Sequence, residues 1–92
     1  MPFEWDEEKN QINIHKHGID FQDAVDIFNH PMLSQPDHRA NYGEDRWVAI
    51  GLIYACPGVI VFTERTGDRV RIISARKATK RETRLYEEKL SD

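Results

Sequence analysis

The chain has 92 residues, of which 39% are hydrophobic and 32% charged, with a net charge of −3 and one cysteine, Cys56. This length suits one domain with a modest core, and the composition is that of a globular rather than a disordered protein. No apolar run approaches the roughly 18 residues of a membrane span, and the acidic start "MPFEWDEEKN" lacks the pattern of a signal peptide. Because a lone cysteine cannot form an internal disulfide, we expect a cytoplasmic protein with no membrane partner.

Charge is distributed unevenly along the sequence. Residues 1–45 carry ten acidic and three basic side chains, a net −7, whereas residues 46–92 carry ten basic and six acidic ones, a net +4. A basic half can attract phosphate groups even when the whole chain is acidic, although a solvated charged surface would show the same pattern. We expect the acidic half to lie away from any phosphate-binding region.

The N-terminal region predicts a short strand and a helix. The aromatic stretch "FEW", residues 3–5, favours an edge strand. Asp6 is placed to cap a helix over 7–17, which should end at Gly18 because glycine accepts the left-handed conformation common after a helix C-terminus.

A second helix is predicted over 20–29. Its N-cap is Asp20, and "NHP" at 29–31 should end it. Apolar residues between these limits recur at i, i+3, i+4 and i+7, the spacing of one buried helical face. They are Phe21, Ala24, Val25 and Phe28.

Strands dominate the following segment. A brief strand over 32–35 and a polar loop over 36–46 are expected first. The turns expected between the later strands are "ACPG", residues 55–58, and a tight turn at 66–68, and such short connections favour an antiparallel meander. The three strands of this meander are predicted over 46–54, 59–65 and 69–76.

A last helix is predicted over 80–90, because Thr79 and Glu82 form the S/T-x-x-E pattern of a capping box. Its apolar face is thin, so we expect loose packing or contact with a partner. Together the elements predict an α+β fold with the two N-terminal helices packed on one face of a small antiparallel sheet, a C-terminal helix, and the other face partly open. The thin apolar face consists of Leu85, Tyr86 and Leu90.

Basic side chains are concentrated where the last strand passes into the last helix, in "RIISARKATKRE" at residues 71–82. Arg65 should lie beside Arg69 across a hairpin, so several guanidinium groups should meet near one end of the sheet. Arginine's planar fork matches phosphate oxygens, which suits a phosphodiester substrate. Strand alternation should place Val70, Ile72 and Ser74 on one face, and Arg69, Arg71, Ile73 and Ala75 on the other.

Ion pairing within the protein is the alternative explanation for these arginines. In that case their partners should be nearby carboxylates of the C-terminal half. The candidates are Glu64, Asp68, Glu82, Glu87 and Glu88.

The four histidines do not match a metal-binding pattern. His15 and His17 point to different sides of a helix, His30 and His38 lie in or beside loops, and Cys56 has no C-x-x-C partner. No P-loop or Gly-x-Gly-x-x-Gly pattern is present, so we expect neither a metal nor a cofactor. At the end of its helix, His17 has the chemistry of a proton donor or acceptor, with a capping role as the alternative.

Short stretches over nearly the whole chain match one known family in order and spacing. They are "FEWD", Lys9, Asn13, "KHG" at 16–18, Phe21, "RWVAIG" at 46–51, "RIISARKAT" at 71–79, Glu82 and "YE" at 86–87. With these residues the chain resembles the BrnT family, toxins of type II toxin–antitoxin pairs.

The resemblance implies a RelE-like fold with residues 1–92 as a single toxin domain. It also implies metal-independent endoribonuclease cleavage of RNA, which inhibits translation and growth, without a cofactor. The implied partner is a cognate BrnA-like antitoxin with a ribbon–helix–helix region, through which the complex binds operator DNA.

RNA cleavage without a metal requires deprotonation of the 2′-hydroxyl, stabilisation of the phosphorane charge and protonation of the 5′-oxygen. We expect Arg76 and Arg65 to stabilise this charge. His17 is the expected base or acid, and Tyr86 should position the phosphate or the base. The residues expected to hold the RNA backbone are Lys16, Arg69, Lys77 and Lys80.

Two other functions are open on the sequence alone. The protein could be a non-catalytic RNA- or DNA-binding module, or an inert partner that stabilises a DNA-binding repressor. For each site residue the matching alternative is a surface or capping role.

Overall fold

The computed structural model describes residues 2–39 and 43–90, in which five strands form one mixed sheet accompanied by three helices. A 3₁₀ turn at Val25–Asn29 extends the second helix. The strands are β1 Phe3–Glu4, β2 Leu33–Pro36, β3 Trp47–Ile53, β4 Cys56–Arg65 and β5 Arg69–Lys77, and the helices are α1 Glu7–His17, α2 Phe21–Ala24 and α3 Lys80–Leu90.

The sheet has the strand order β1-β5-β4-β3-β2. Strands β2 to β5 pair antiparallel with their neighbours, so the predicted meander is confirmed. The predicted edge strand is also confirmed as β1, which pairs in parallel with β5 and makes the sheet mixed. Of the polar loop predicted over 36–46, residues 40–42 lie outside the described residues.

The turn predicted at "ACPG" is wrong. The chain reverses at Tyr54 and Ala55, whose φ values of 48° and 70° form a two-residue hairpin loop, and β4 already begins at Cys56. Two positive φ values match the right-handed twist of the flanking strands, although neither residue is a glycine. Pro57 is tolerated because it lies at the start of its strand.

Local capping fixes α1 as the sequence predicts. The Asp6 carboxylate accepts hydrogen bonds from the backbone N–H groups of Glu8 (2.9 Å) and Lys9 (3.3 Å). Gly18 adopts φ 73° and donates its N–H to the Ile14 carbonyl at 2.7 Å. These contacts satisfy backbone groups that would otherwise be unpaired at the two helix ends.

The second helix changes character after one turn, because α2 ends at Ala24 and a 3₁₀ segment follows. A 3₁₀ helix repeats every three residues, so Phe21, Ala24 and Ile27 are all fully buried. Ile27 was absent from the predicted stripe, whereas Val25 and Phe28 are only half-buried.

The two faces of the sheet have different neighbours. The core face packs on α2 and the 3₁₀ segment, and a Cβ at Gly51 would lie only 2.6 Å from Ile27. The other face, called the α3 face below, lies under α3, which contacts β2 and β3. From the register and strand alternation, the core face includes Ala49, Ile60, Phe62, Ile72 and Ala75, and the α3 face includes Val48, Ile50, Val59, Val61, Ser74 and Arg76.

A β-bulge in β5 overturns the alternation predicted for that strand. Val61 pairs with Ser74 but the next residue, Phe62, pairs with Ile72, so β5 holds one extra residue at this point. Ile72 and Ala75 consequently share the core face. Beyond the bulge, Arg76 points to the α3 face.

Candidate functional site

Arg76 forms a two-pronged ion pair with Glu82 where β5 passes into α3. Its Nη1 and Nη2 atoms donate to Oε1 and Oε2 of Glu82, both at 2.8 Å, and Nη1 also donates to the Lys77 carbonyl at 3.2 Å. Hydrogen bonding to Glu82 raises the pKa of Arg76, and the same contact lowers the pKa of Glu82 to about 2. At neutral pH the pair is therefore fully charged.

Glu82 also organises the start of α3. Its Oε1 accepts the Thr79 N–H at 2.8 Å, and its own N–H donates to Thr79 Oγ1 at 3.1 Å. The predicted capping box is thereby confirmed. Because one carboxylate serves both the cap and the guanidinium, the direction of α3 and the direction of Arg76 are coupled.

An open cavity of about 530 Å³ lies beside this pair, bordered by Arg76, Glu82, His38 and Arg39. Arg39 is itself held by Asp37, whose carboxylate accepts from Nε and Nη2 at 2.8 Å each. The Asp37 side chain is 1% exposed, whereas that of Arg39 is 68% exposed. Two oriented guanidinium groups thus border one cavity.

Sequence reasoning did not find Asp37, His38 and Arg39 as a group. They follow β2, about forty positions before Arg76, and only the pairing of β2 with β3 brings them near β5. A local signal does exist, since an Asp two residues before an arginine can form an Asx turn. That signal predicts a turn but no neighbour in space.

His17 and Lys16 border a different cavity, of about 210 Å³, together with Ile73 and Ser74. Ser74 and Arg76 are both on the α3 face, about 7 Å apart along the strand. His17 lies on α1, beside β5, whereas β3 and β2 lie on the opposite side of β5. The structure therefore places His17 near β5 but outside the cavity that Arg76 borders.

Arg65 and Arg69 lie far from Arg76. They face each other across the β4–β5 hairpin, and seven residues of strand, about 23 Å, separate Arg69 from Arg76. The expectation that these arginines meet at one end of the sheet is wrong, because Arg76 leaves β5 at the end opposite the hairpin.

The arginines near the hairpin pair with carboxylates of the N-terminal half. Arg69 and Arg71 lie 2.9 and 3.0 Å from Glu4, and Arg65 lies 3.8 Å from Glu44. Among the residues that the structure describes, Glu82 is the one predicted partner that pairs with an arginine. Strand β1 and the segment before β3 therefore bring carboxylates of the acidic half into contact with the basic half.

The remaining predicted site residues surround α3. The Tyr86 hydroxyl donates to the Pro31 carbonyl at 3.2 Å, which attaches α3 to the segment before β2. Lys77 and Lys80 are exposed, and neither forms an ion pair with any residue in the described ranges. Strand alternation points Lys77 to the side opposite Arg76, whereas Lys80 begins α3.

The apolar side of α3 is only partly covered. No residue of α3 is buried, and Leu85 and Leu90 are 43% and 38% exposed. A cleft of about 470 Å³ separates the helix from β2 and β3. Residues bordering this cleft include Leu33, Val48, Ile50, Leu85 and Lys89.

Two further observations concern residues 2–39 and 43–90. Within these ranges no three His, Cys, Asp or Glu side chains are grouped closely enough to hold a metal ion. No helix there has both the length and the apolar character needed to cross a membrane.

Comparison with known proteins identifies the family. Residues 5–82 match the sequence model described as "Ribonuclease toxin, BrnT, of type II toxin-antitoxin system". The chain belongs to the BrnT family. No curated protein gives a significant match.

A solved BrnT structure has the same fold. The crystal structure of the Brucella abortus ribonuclease toxin, BrnT, superposes with a TM-score of 0.71 at 32% identity and covers 87% of this chain and 99% of the Brucella chain. This chain is therefore a BrnT-like ribonuclease toxin of a type II toxin–antitoxin system, and the system implies an antitoxin partner. The alternatives of a non-catalytic binding module and an inert partner are disfavoured by this membership.

Proposed function

We propose that this BrnT-like toxin is a metal-independent endoribonuclease and that Arg76 stabilises the transition state of RNA cleavage. The observation that supports this assignment is the Arg76 guanidinium, oriented by Glu82 and 39% exposed at the border of an open cavity. We treat residues 1–92 as one toxin domain with a RelE-like fold.

The proposed reaction is attack by the RNA 2′-hydroxyl on the adjacent phosphorus. The phosphorus passes through a five-coordinate state whose equatorial oxygens carry extra negative charge, and fixed cationic donors stabilise this state more than the ground state. Glu82 occupies Nη1 and Nη2 of Arg76, while Nε donates to no group among the described residues. Arg76 can thus offer a hydrogen bond to phosphate without losing the carboxylate that orients it.

Lysines near Arg76 are proposed to hold the RNA backbone. Lys80 begins α3 four residues after Arg76, and Lys16 lies near Ser74 on the neighbouring stretch of β5. Lys77, the last residue of β5, would contact the RNA backbone at the end of that strand. Exposed lysines suit this role because they bind phosphates as mobile point charges without needing a fixed geometry.

The other predicted site residues have less support from the geometry. About 23 Å of strand separates Arg69, and with it Arg65, from Arg76, so these two arginines would contact the same RNA only at a distant phosphate. The Tyr86 hydroxyl is hydrogen-bonded to the Pro31 carbonyl, so the main effect of replacing Tyr86 would be to change the position of α3. A role for His17 as base or acid stays a prediction.

The proposed partner is a BrnA-like antitoxin of the ribbon–helix–helix type, which would bring the complex to operator DNA. The half-exposed leucines of α3 and the cleft beside β2 and β3 are the apolar surface we assign to it. A specific interface should bury more than about 1,000 Å² in total.

RNA cleavage by this toxin would take place in the cytoplasm, where an exposed thiol such as Cys56 stays reduced.

The test is RNA cleavage by the purified chain after treatment with a chelator. We expect cleavage that is unchanged by the chelator, that stops when the antitoxin is added, and that accompanies growth arrest on induction of the chain alone. Cleavage that disappears with the chelator and returns with Mg²⁺ or Mn²⁺ would disprove metal independence. An absence of cleavage under all conditions, with RNA still bound, would favour the non-catalytic alternative.

A further inference from the structure

The guanidinium groups of Arg39 and Arg76 border the same cavity beside α3. Arg39 acts on Arg76 through like-charge repulsion, which opposes the rise in the pKa of Arg76 that Glu82 causes. In the part of the chain that the structure describes, Arg39 pairs with Asp37 and Arg76 pairs with Glu82. An anion placed between the two arginines would relieve the repulsion and accept hydrogen bonds from both.

His38 is held at the same cavity by its neighbours in sequence. Asp37 Oδ1 accepts the Arg39 N–H at 3.2 Å, which closes a turn around His38, and the Asp37 N–H donates to the Arg46 carbonyl at 2.7 Å. Because Asp37 is buried, the turn is anchored in the protein. His38, in contrast, is exposed. The charged residues that border this cavity together with His38 are Asp37, Arg39, Arg76 and Glu82.

Strand positions show why His38, and not His17, shares this cavity with Arg76. In the sheet order, β4 and β3 separate β5 from β2, a distance of about 14 Å at the usual strand spacing. The Arg76 side chain borders a cavity with residues that follow β2, so it reaches across the sheet towards β2. His17 borders a cavity with Ser74 beside β5. A group that transfers a proton to a phosphate held by Arg76 must come within hydrogen-bond distance of it.

We propose that His38 is a catalytic residue of the ribonuclease reaction, which donates a proton to the leaving 5′-oxygen while Arg39 and Arg76 hold the scissile phosphate. This inference rests on the function proposed above. The substrate class is an RNA phosphodiester with a free 2′-hydroxyl.

The 2′-hydroxyl gives its proton to water as its oxygen bonds to phosphorus, and the bond between phosphorus and the 5′-oxygen breaks. The 5′-oxygen takes the proton of the His38 imidazolium, which is restored from solvent. The products are a 2′,3′-cyclic phosphate and a 5′-hydroxyl end.

The experiment compares His38→Ala with the wild-type chain on two RNA substrates that differ only in the leaving atom. One substrate has the ordinary 5′-oxygen at the cleavage site, and the other has sulfur there. A thiolate is a far weaker base than an alkoxide and leaves without protonation. We expect His38→Ala to cleave the oxygen substrate about 10² to 10⁴-fold more slowly, the usual contribution of a general acid, and the sulfur substrate within about 3-fold of wild type.

Two further variants make the result specific. His15→Ala, which alters an exposed histidine on α1, should cleave both substrates like wild type. Arg39→Ala should slow both substrates alike, because a phosphate-binding group acts whatever atom leaves. Melting temperatures of His38→Ala and His15→Ala should stay near that of wild type, since neither side chain is buried, whereas Arg39→Ala should melt at a lower temperature because it removes the ion-pair partner of the buried Asp37 carboxylate.

The inference is overturned if His38→Ala cleaves the oxygen substrate within about 3-fold of wild type, or loses the same factor on both substrates. It is also overturned if His17→Ala, and not His38→Ala, shows the substrate-dependent loss. These outcomes leave the ribonuclease proposal intact. An inactive wild-type chain would overturn both proposals.

Discussion

Replacement of Arg76 tests whether this arginine is catalytic or only structural. Arg71, on the same strand β5, is a matched control. Arg71 lies on the same strand, and its ion pair with Glu4 is 3.0 Å long with side-chain exposures of 34% and 22%. The pair between Arg76 and Glu82 is 2.8 Å long with exposures of 39% and 25%. The two ion pairs are similar in length and exposure, with the difference that Glu4 also pairs with Arg69, and of the two arginines only Arg76 borders the cavity.

Arg76→Ala and Arg71→Ala should cost similar amounts of stability. Partly exposed pairs of good geometry contribute about 1 kcal/mol to the free energy of unfolding, since solvent screens the charges. For a domain of this size, that loss corresponds to a fall of about 4–8 °C in melting temperature. A structural role alone would make the two variants behave alike in every assay.

Activity should distinguish the variants sharply. Loss of one fixed donor to a developing oxyanion costs about 3–4 kcal/mol of transition-state stabilisation, which is about 10² to 10³-fold in rate. We expect this loss in single-turnover cleavage by Arg76→Ala and a change of less than about 2-fold for Arg71→Ala, because Arg71 does not border the cavity beside Arg76. Arg76→Lys should recover little, because an ammonium lacks the planar fork that Glu82 holds.

The assay measures melting temperature, antitoxin binding and single-turnover cleavage on the same preparations. A folded Arg76→Ala protein that cleaves RNA at the wild-type rate would refute the assigned role. Equal losses of cleavage in the Arg76 and Arg71 variants would show that stability, and not chemistry, explains the effect.

Three other changes test the geometry around this site. Glu82→Gln keeps a side-chain oxygen that can accept the Thr79 N–H, but it removes the charge. Because the folded pKa of Glu82, about 2, is below its ordinary 4.5, the stability that its charge contributes should be present above pH 4.5 and lost as pH falls towards 2. Chemical denaturation of Glu82→Gln and wild type should therefore show a difference at pH 7 that vanishes near pH 2, and a constant difference would contradict the ion pair. Asn13→Leu should lower the free energy of unfolding by about 3 kcal/mol, since the Asn13 amide pairs with the N–H and carbonyl of Ala75 at 3.1 and 2.9 Å, whereas Ile12→Ala on the exposed side of α1 should have little effect. Lys80→Ala should weaken RNA binding uniformly across sequences and reduce the salt slope of log K by about 0.7, and an unchanged slope would show that Lys80 contacts no phosphate.

Local chemistry in the sequence determined the helix ends and one hairpin. Asp6, Gly18 and the Thr79–Glu82 box act within four or five residues, so their hydrogen bonds could be predicted before any packing was known. The tight turn at 66–68 is equally local, and it fixes Arg65 opposite Arg69. These features do not depend on the rest of the fold, which is why their predictions are confirmed.

Family membership was also available from the sequence, because ordered short stretches identify a family without any coordinates. The same stretches did not determine which side chains share a cavity. "RIISARKAT" contains the bulge that turns Arg76 to the α3 face, yet strict alternation gives no sign of an extra residue. A bulge arises from how β5 fits β4, and that fit is a property of two strands together.

Tertiary structure alone decided which charges distant in sequence meet. Glu4 reaches Arg69 and Arg71 because β1 pairs in parallel with β5, and Glu44 reaches Arg65 because β3, which Glu44 precedes, pairs with β4. His38 and Arg39 reach the Arg76 cavity because β2 extends the same sheet by one strand. Charge acts through space and not along the chain, so residues far apart in sequence form one site only after strand order and register are set.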